Sequence, residues 1–382
     1  MKNILIIDCE GNAYTNPSIR VLILLLENNK FNVTLRLPDI HKFFNKNKRN
    51  SYYGILSRKI KSYVINELSN DYLTKILVIT DYIINYRKKY DVIIGIDRQG
   101  VIEASVLNKY FNFPYVFLSF EIFFLSETSI KFKKLEIEAC KNAFLWITQD
   151  ITRAKLLELE NNLNLNSSFL LPVSTKKPLK KQTEYCLRDT LGINKEFKVA
   201  IMMGSMAEFT MIHEIIDSVN SWPANWVLIL HDRNKIDSKI TKKLEFKNLI
   251  NKKIFLSNLS CLQFDELGFI LKGIDVGIAF YKPCPNSKYT GKNIENIGLA
   301  SGKISTYLSY SIPVIINQIG QYNNFLSEIQ FGYDVKTITE IPEALNYINH
   351  NMELLKNNAN NFFENNLSFE IYEKDIIERL IP

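Results

Sequence analysis

The chain has 382 residues, 46% hydrophobic and 23% charged, an ordinary globular balance long enough for two or three domains. A core of that size needs no disulfide or metal staple. The formal net charge is +7, and the five cysteines, an odd number with no C-x-x-C pair, suit buried thiols in a reducing compartment better than a secreted disulfide framework.

The N-terminus is one lysine followed by a short apolar run. Asp8 and Glu10 cut that run far below the length of a signal h-region or a membrane span, so it reads as a buried first strand, Asn3–Asp8. Further strand-length apolar runs lie at Asn32–Arg36, Asp91–Ile96, Tyr115–Ser119, Ala143–Ile147 and Phe169–Leu171. Helical patterns separate them, among them Ser18–Asn28, Leu73–Lys89 and Glu136–Asn142. The strands are apolar on both faces, as in a parallel sheet covered by helices. Between the second and third strands lies a basic stretch, Lys42–Lys61, which includes Lys46, Lys48, Arg49, Arg58 and Lys59 interleaved with Phe43, Phe44, Tyr52 and Tyr53. It reads either as a solvated face or as a contact for anionic lipid or a phosphate-bearing acceptor. No nucleic-acid motif accompanies it.

Pro172–Lys181 has two prolines, four lysines and no periodicity, and reads as a linker. A second βα series follows, with strands at Lys198–Met203, Trp226–His231, Lys253–Leu256, Asp275–Ala279 and Pro313–Asn317. Its helices are expected at Glu208–Ser221, Leu262–Leu271 and Lys303–Tyr310. The tail from Ile341 reads as a helix, an Asn-rich turn and a last helix near Ser368–Leu380. The expected division is residues 1–172, residues 173–360, and a C-terminal helix within 361–382 that packs back on the first domain. Two βα series of similar size predict an α/β protein with two Rossmann-like domains.

Several chemistries are excluded by pattern. The histidines are scattered, and no aspartates form a D-x-D clamp, so no metal site is expected. There is no G-x-S-x-G elbow and no G-x-G-x-x-G after the first strand. Gly298–Lys303 resembles a Walker A loop but has three residues between its glycines and Ile304 where Ser or Thr would bind magnesium. The informative segment is Asn286–Val314. A polar loop leads to Ser301, which reads as the N-cap of a helix with Gly302 and Lys303 in its first turn. Such a helix start, at the carboxyl end of a parallel sheet, suits a diphosphate.

Ser301-Gly302-Lys303-Ile304-Ser305-Thr306-Tyr307-Leu308, followed by Pro313-Val314-Ile315, resembles the donor-site signature of GT4-like glycosyltransferases. Gln149-Asp150 with Arg153-Ala154, Leu118–Glu121 and Asn16–Arg20 resemble further segments of that family in the same order. The resemblance implies a GT-B fold, with two Rossmann-like domains facing a central cleft. It also implies sugar transfer from a UDP or GDP sugar to an acceptor hydroxyl without a required cofactor or metal. The family's E-x7-E carboxylates are absent: counting back from Pro313 finds Thr306 and Gly298, with Glu295 the nearest acid. Candidate donor-binding residues are Gly204, Ser205, His231, Arg233, Glu295, Ser301, Gly302 and Lys303. Candidate acceptor-binding residues are Glu10, Gly11, Asn12, Asp97 and Arg98, which end first-domain strands. Glu121 is the candidate catalytic base. The acceptor implied is a glycan or lipid-linked glycan at the cytoplasmic membrane face, in surface polysaccharide assembly. A nucleotide-sugar 2-epimerase or hydrolase of the same fold, or a non-catalytic partner subunit, are the alternatives.

Overall fold

A computed structural model describes residues 1–9, 11, 16–37, 71–85, 89–178, 185–232, 236–257, 267–285, 289–318 and 320–381. The basic stretch 42–61, Glu10, Asn12, Arg233 and Cys261 lie outside the described residues. The chain divides into two compact units. One comprises Met1–Pro172, Ser287–Asn293 and Tyr372–Pro382; the other comprises Val173–Asn286 and Ile294–Ile371.

The first unit holds a six-stranded sheet: β1 (Asn3–Asp8), β2 (Asn32–Arg36), β3 (Val92–Ile96), β4 (Tyr115–Leu118), β5 (Leu145–Thr148) and β6 (Ser168–Leu170). Every pairing is parallel, in the order β2-β1-β3-β4-β5-β6. Leu5, Ile7, Ile93, Phe117 and Trp146 share one buried cluster beside one sheet face. The helix Asp97–Phe111 packs so closely that a Cβ on Gly100 would lie 2.7 Å from the Ile7 carbonyl oxygen. The glycine is what permits that approach. The last helix, Glu373–Arg379, belongs to this unit: Tyr372 meets Phe169 edge to face, and Arg379 donates to the Ser168 carbonyl.

The second unit holds β7 (Lys198–Met203), β8 (Trp226–His231), β9 (Ile254–Ser257), β10 (Val276–Ala279), β11 (Val314–Asn317) and β12 (Gly332–Val335). These are also all parallel, in the order β12-β11-β10-β7-β8-β9. Alternate residues divide between its two faces. Val199, Ile201, Val227 and Ile229 join one buried cluster, and Ala200, Met202, Leu228 and Leu230 join the other. Both faces are dry, which is why the strands read as unbroken apolar runs.

Several expected boundaries move. The helix expected at Glu136–Asn142 starts earlier, at Ile130, because Ser129 caps it through the Phe132 N–H. The helix expected over Glu208–Ser221 breaks at Met211, whose φ of 54° is left-handed, and its α-helical part is Ile212–Ser218. The Asn-rich turn in the tail is instead helical. A helical span runs Ile341–Phe362 with a kink at Asn351, whose φ and ψ are not helical, followed by a wider turn, Phe363–Leu367. Strand β12 has no counterpart among the expected elements, and Asp97–Gly100, expected as a strand end, forms the first turn of the helix Asp97–Phe111.

Candidate functional site

The second sheet reverses direction between β7 and β10, so the loops leaving those two strands diverge. Such a switch point opens a crevice at the carboxyl ends of the strands. Gly204 follows β7 with φ 94°, a conformation that favours glycine. A Cβ there would lie 3.0 Å from Lys303 Cε. The Lys303 ammonium donates to the Ser205 carbonyl at 3.4 Å and lies 5.6 Å from the centroid of the Tyr281 ring.

Tyr281 leaves β10 and is held twice. Its N–H donates to Asn317 Oδ1 at 2.9 Å, and its carbonyl accepts from Asn317 Nδ2 at 2.7 Å. The tyrosine oxygen is 2.6 Å from Ser301 Oγ. Burial pushes the Tyr281 phenol up to about 12, so it stays neutral near neutral pH. Ser301 caps the helix Gly302–Ser309, its Oγ accepting from the Ile304 N–H at 3.4 Å. The first N–H groups of a helix have no intrahelical partner and lie at its positive end. The structure therefore brings together Gly204, Ser205, Ser301, Gly302 and Lys303.

The other donor candidates divide. His231 ends β8, is 3% exposed and places Nδ1 2.8 Å from Ser257 Oγ. Its carbonyl accepts from the Gly204 N–H at 3.0 Å, so it buttresses the glycine turn. Burial lowers the pKa of its imidazole, against the opposing influence of Asp232. Glu295 is exposed at the end of the helix Lys292–Glu295. The two positions that lack the family's carboxylates have their own local logic. Thr306 is buried and donates to the Gly302 carbonyl at 2.6 Å, and Gly298 has a φ of 48°.

In the first unit the sheet reverses between β1 and β3. Gly11, with φ 76°, donates its N–H to the buried Asp8 carboxylate at 3.0 Å. Asp97 and Arg98 face inward. Asp97 has φ 51°, and its Oδ1 accepts from the Phe120 and Glu121 N–H groups at 2.7 and 2.9 Å. The Arg98 guanidinium lies over the Phe123 and Phe132 rings at 4.1 and 4.9 Å and donates to Thr128 Oγ1. The loop after β4 is gripped from several sides. Gln149 donates to the Ser119 carbonyl at 2.7 Å, and buried Arg153 donates to the Phe120 carbonyl at 2.7 Å and to Gln149 Oε1 at 2.7 Å. Burial lowers the Arg153 pKa, while Glu121, Asp150 and Asp97 raise it. Glu121 is thus a half-buried carboxylate on a rigid loop, near a cation.

Sequence reasoning missed Tyr281, Asn317, Gln149 and Arg153 as site-building groups, although the last two lie in the Gln149–Ala154 segment that resembles the family. Among the described residues, no group of three or more His, Cys, Asp or Glu side chains is placed to hold a metal.

No protein-family model matches the chain, and no curated protein matches it. Solved structures do. Sucrose-phosphate synthase from Thermosynechococcus elongatus aligns with a TM-score of 0.71 at 13% identity, covering 99% of this chain and 98% of that one. Anabaena HepE in complex with UDP and glucose aligns at 0.70 and 13% identity, covering 100% and 99%. A protein assigned as a UDP-N-acetylglucosamine 2-epimerase, from Listeria monocytogenes, aligns at 0.61 and 12% identity, covering 99% and 95%. At such identities the likeness is one of fold, and the fold is the expected pairing of two Rossmann-like α/β domains.

Proposed function

We propose that this chain is a glycosyltransferase that moves a sugar from a nucleotide-diphosphate sugar to an acceptor hydroxyl. The observation that supports it best is the convergence of the Gly204 turn, the Lys303 ammonium and the capped helix start at the switch point of the second sheet. A diphosphate leaving group needs positive charge that is in place before the bond breaks. A helix N-terminus and a lysine supply it without reorganisation. In this reading the acceptor oxygen attacks the anomeric carbon, the bond to the β-phosphate oxygen breaks, and the electron pair leaves with the nucleoside diphosphate. Glu121 takes the hydroxyl proton. The Asp8–Gly11 turn contributes to the acceptor side. The fold relative crystallised with UDP and glucose supports a uridine nucleotide as the donor carrier.

The finer reading is a metal-independent hexosyltransferase that acts on a lipid-linked glycan in surface polysaccharide assembly. A second reading is 2-epimerisation or hydrolysis, favoured by the fold relative assigned that activity. The two differ in whether an acceptor is consumed.

A thermal-shift screen of UDP, GDP and their sugars tests the proposal, since a ligand that binds only the native state raises Tm. UDP or a UDP sugar should stabilise the wild type. Lys303→Ala should weaken that binding by about 1.5–3 kcal/mol, the usual worth of a hydrogen bond to a charged group. If neither nucleotide class stabilises the protein, or if Lys303→Ala binds as the wild type does, the donor site lies elsewhere.

A further inference from the structure

Strands β7 and β10 are neighbours in the second sheet but pair only at Ala200–Val276 and Ile201–Gly277. On its other edge β7 pairs with β8 along its whole length, from Lys198 to Met203. In a parallel ladder, one residue of the neighbouring strand donates to a carbonyl and accepts from the N–H two residues further on. At the end of β7 a side chain does both. The Tyr307 hydroxyl accepts from the Met203 N–H at 3.0 Å and donates to the Ile201 carbonyl at 3.3 Å. A phenol can stand in for a strand residue here because it is at once donor and acceptor.

Tyr307 is fully buried, and burial raises the pKa of its phenol, so the O–H is kept near neutral pH. Gly277 makes the room, since a Cβ there would overlap the ring. Tyr307 lies four residues after Lys303 in the helix Gly302–Ser309, so both side chains leave the same face. Lys303 reaches the Ser205 carbonyl, and Tyr307 reaches the strand just before Gly204. From the β8 side, the His231 carbonyl accepts from the Gly204 N–H at 3.0 Å. The glycine turn is thus tied to β8 by its own backbone and to the helix by Tyr307.

We propose that Tyr307 is a positioning residue that sets the Gly204 turn against the helix start Ser301–Lys303, and with it the spacing of the groups that receive a diphosphate. The proposal rests on the donor reading given above. Every residue in it lies in the second unit.

Tyr307→Phe keeps the ring over Gly277 and removes both hydrogen bonds. Hydrogen–deuterium exchange on the full chain without nucleotide should show the Met203–Ser205 amides exchanging about tenfold faster than in the wild type, as expected when local hydrogen bonds are lost. Calorimetric titration, at a temperature where both proteins are fully folded, should show UDP binding about tenfold weaker. Uridine, which lacks both phosphates and is titrated by NMR, should bind within about twofold of the wild type. A hydroxyl with a purely structural role would lower Tm and leave the folded protein's affinity for UDP unchanged. Unchanged exchange at Met203–Ser205, unchanged UDP affinity, or an equal loss of UDP and uridine affinity each overturns the proposal. Gly277→Ala, which keeps the hydroxyl but displaces the ring, should show the same selective loss for UDP and serves if Tyr307→Phe fails to fold. If the wild type does not bind UDP, the donor reading fails and takes the diphosphate role of Tyr307 with it. If wild type and variant bind UDP equally well, the donor reading stands and only the role of Tyr307 falls.

Discussion

His231 shows how burial turns a polar residue at a strand end into a pH-dependent element of stability. Its imidazole is buried beside Ser257, and burial lowers its pKa from the usual 6.5. Protonation is therefore resisted in the folded chain and free in the unfolded one. Above about pH 6.5 both states are neutral and the group contributes no pH dependence. As pH falls below that value the unfolded state binds the extra proton, so stability drops until the folded pKa is passed. Thermal unfolding at about pH 7.5 and about pH 5.5 should show a loss of Tm for the wild type that is smaller for His231→Gln. An equal loss in both would assign the effect to other groups. A related change, Gly204→Ala, should destabilise the chain by about 1 kcal/mol or more and weaken nucleotide binding, because φ 94° strains any L side chain and the new Cβ crowds Lys303. Chemical denaturation and calorimetric titration with UDP measure the two effects separately. Gly204 was legible in the sequence as a glycine ending an apolar strand run, and Ser301 and Lys303 as the N-cap and first turn of a helical pattern. Tyr281 and Asn317 were not, since their partners lie 20 and 36 residues away.

Secondary elements were legible where their own residues decide them. Strands β1, β7 and β8 have the expected bounds because each is an apolar run buried on both faces, and β2 has them too although its buried residues are Thr34 and Arg36. Strand β12, Gly332–Val335, has a glycine, a tyrosine and an aspartate, and becomes a strand only by pairing with β11. The helix Asp97–Phe111 was obscured by Gly100, a residue that argues against helix locally but is required by the approach to β1. The helix Gly302–Ser309 illustrates packing between elements. Tyr307 lies across β10, where a Cβ on Gly277 would overlap its ring, and its hydroxyl accepts from the Met203 N–H at 3.0 Å. Gly277→Ala should therefore lower stability by about 1–3 kcal/mol through overpacking. Because Tyr307 rides on the helix proposed to bind the donor, that substitution should also weaken UDP binding more than a remote core change of equal cost. Denaturant titration and calorimetry on the variant measure both. A Tm within about a degree of wild type would mean that the ring can move aside.

At the scale of the whole molecule, the two units have different chain continuity. The first is assembled from three separate stretches and the second from two. No helix among the described residues is long and apolar enough to cross a membrane. We propose that the basic, aromatic stretch Lys42–Lys61 supplies reversible adsorption to anionic bilayer, where each lysine or arginine contributes on the order of 1 kcal/mol, screened by salt. Flotation with liposomes of graded anionic content should show binding that rises with charge, falls with salt and drops when Lys46, Lys48 and Arg49 become Glu. A wild-type chain that stays in the soluble fraction at low salt with strongly anionic liposomes would remove the lipid-linked acceptor from the reading. If the chain transfers sugar as proposed, turnover should survive excess EDTA, since a helix start and a lysine would meet the diphosphate charge. Loss of turnover restored by manganese would contradict that mechanism.

The sequence by itself determined the two βα series, most strand positions and the capped helix at Ser301–Lys303. Periodicity, capping and glycine placement are local properties, set by residues within a turn or two of one another. Only the tertiary structure decided which residues meet: that Lys303 reaches Gly204 and Ser205, that Asn317 holds Tyr281, that Arg98 turns inward onto Phe123, and that Asn293 grips Ile122 across 171 residues of chain. Such pairings follow from the order in which strands assemble into a sheet. That order is fixed by long-range burial and hydrogen bonding, which leave no periodic trace in the chain.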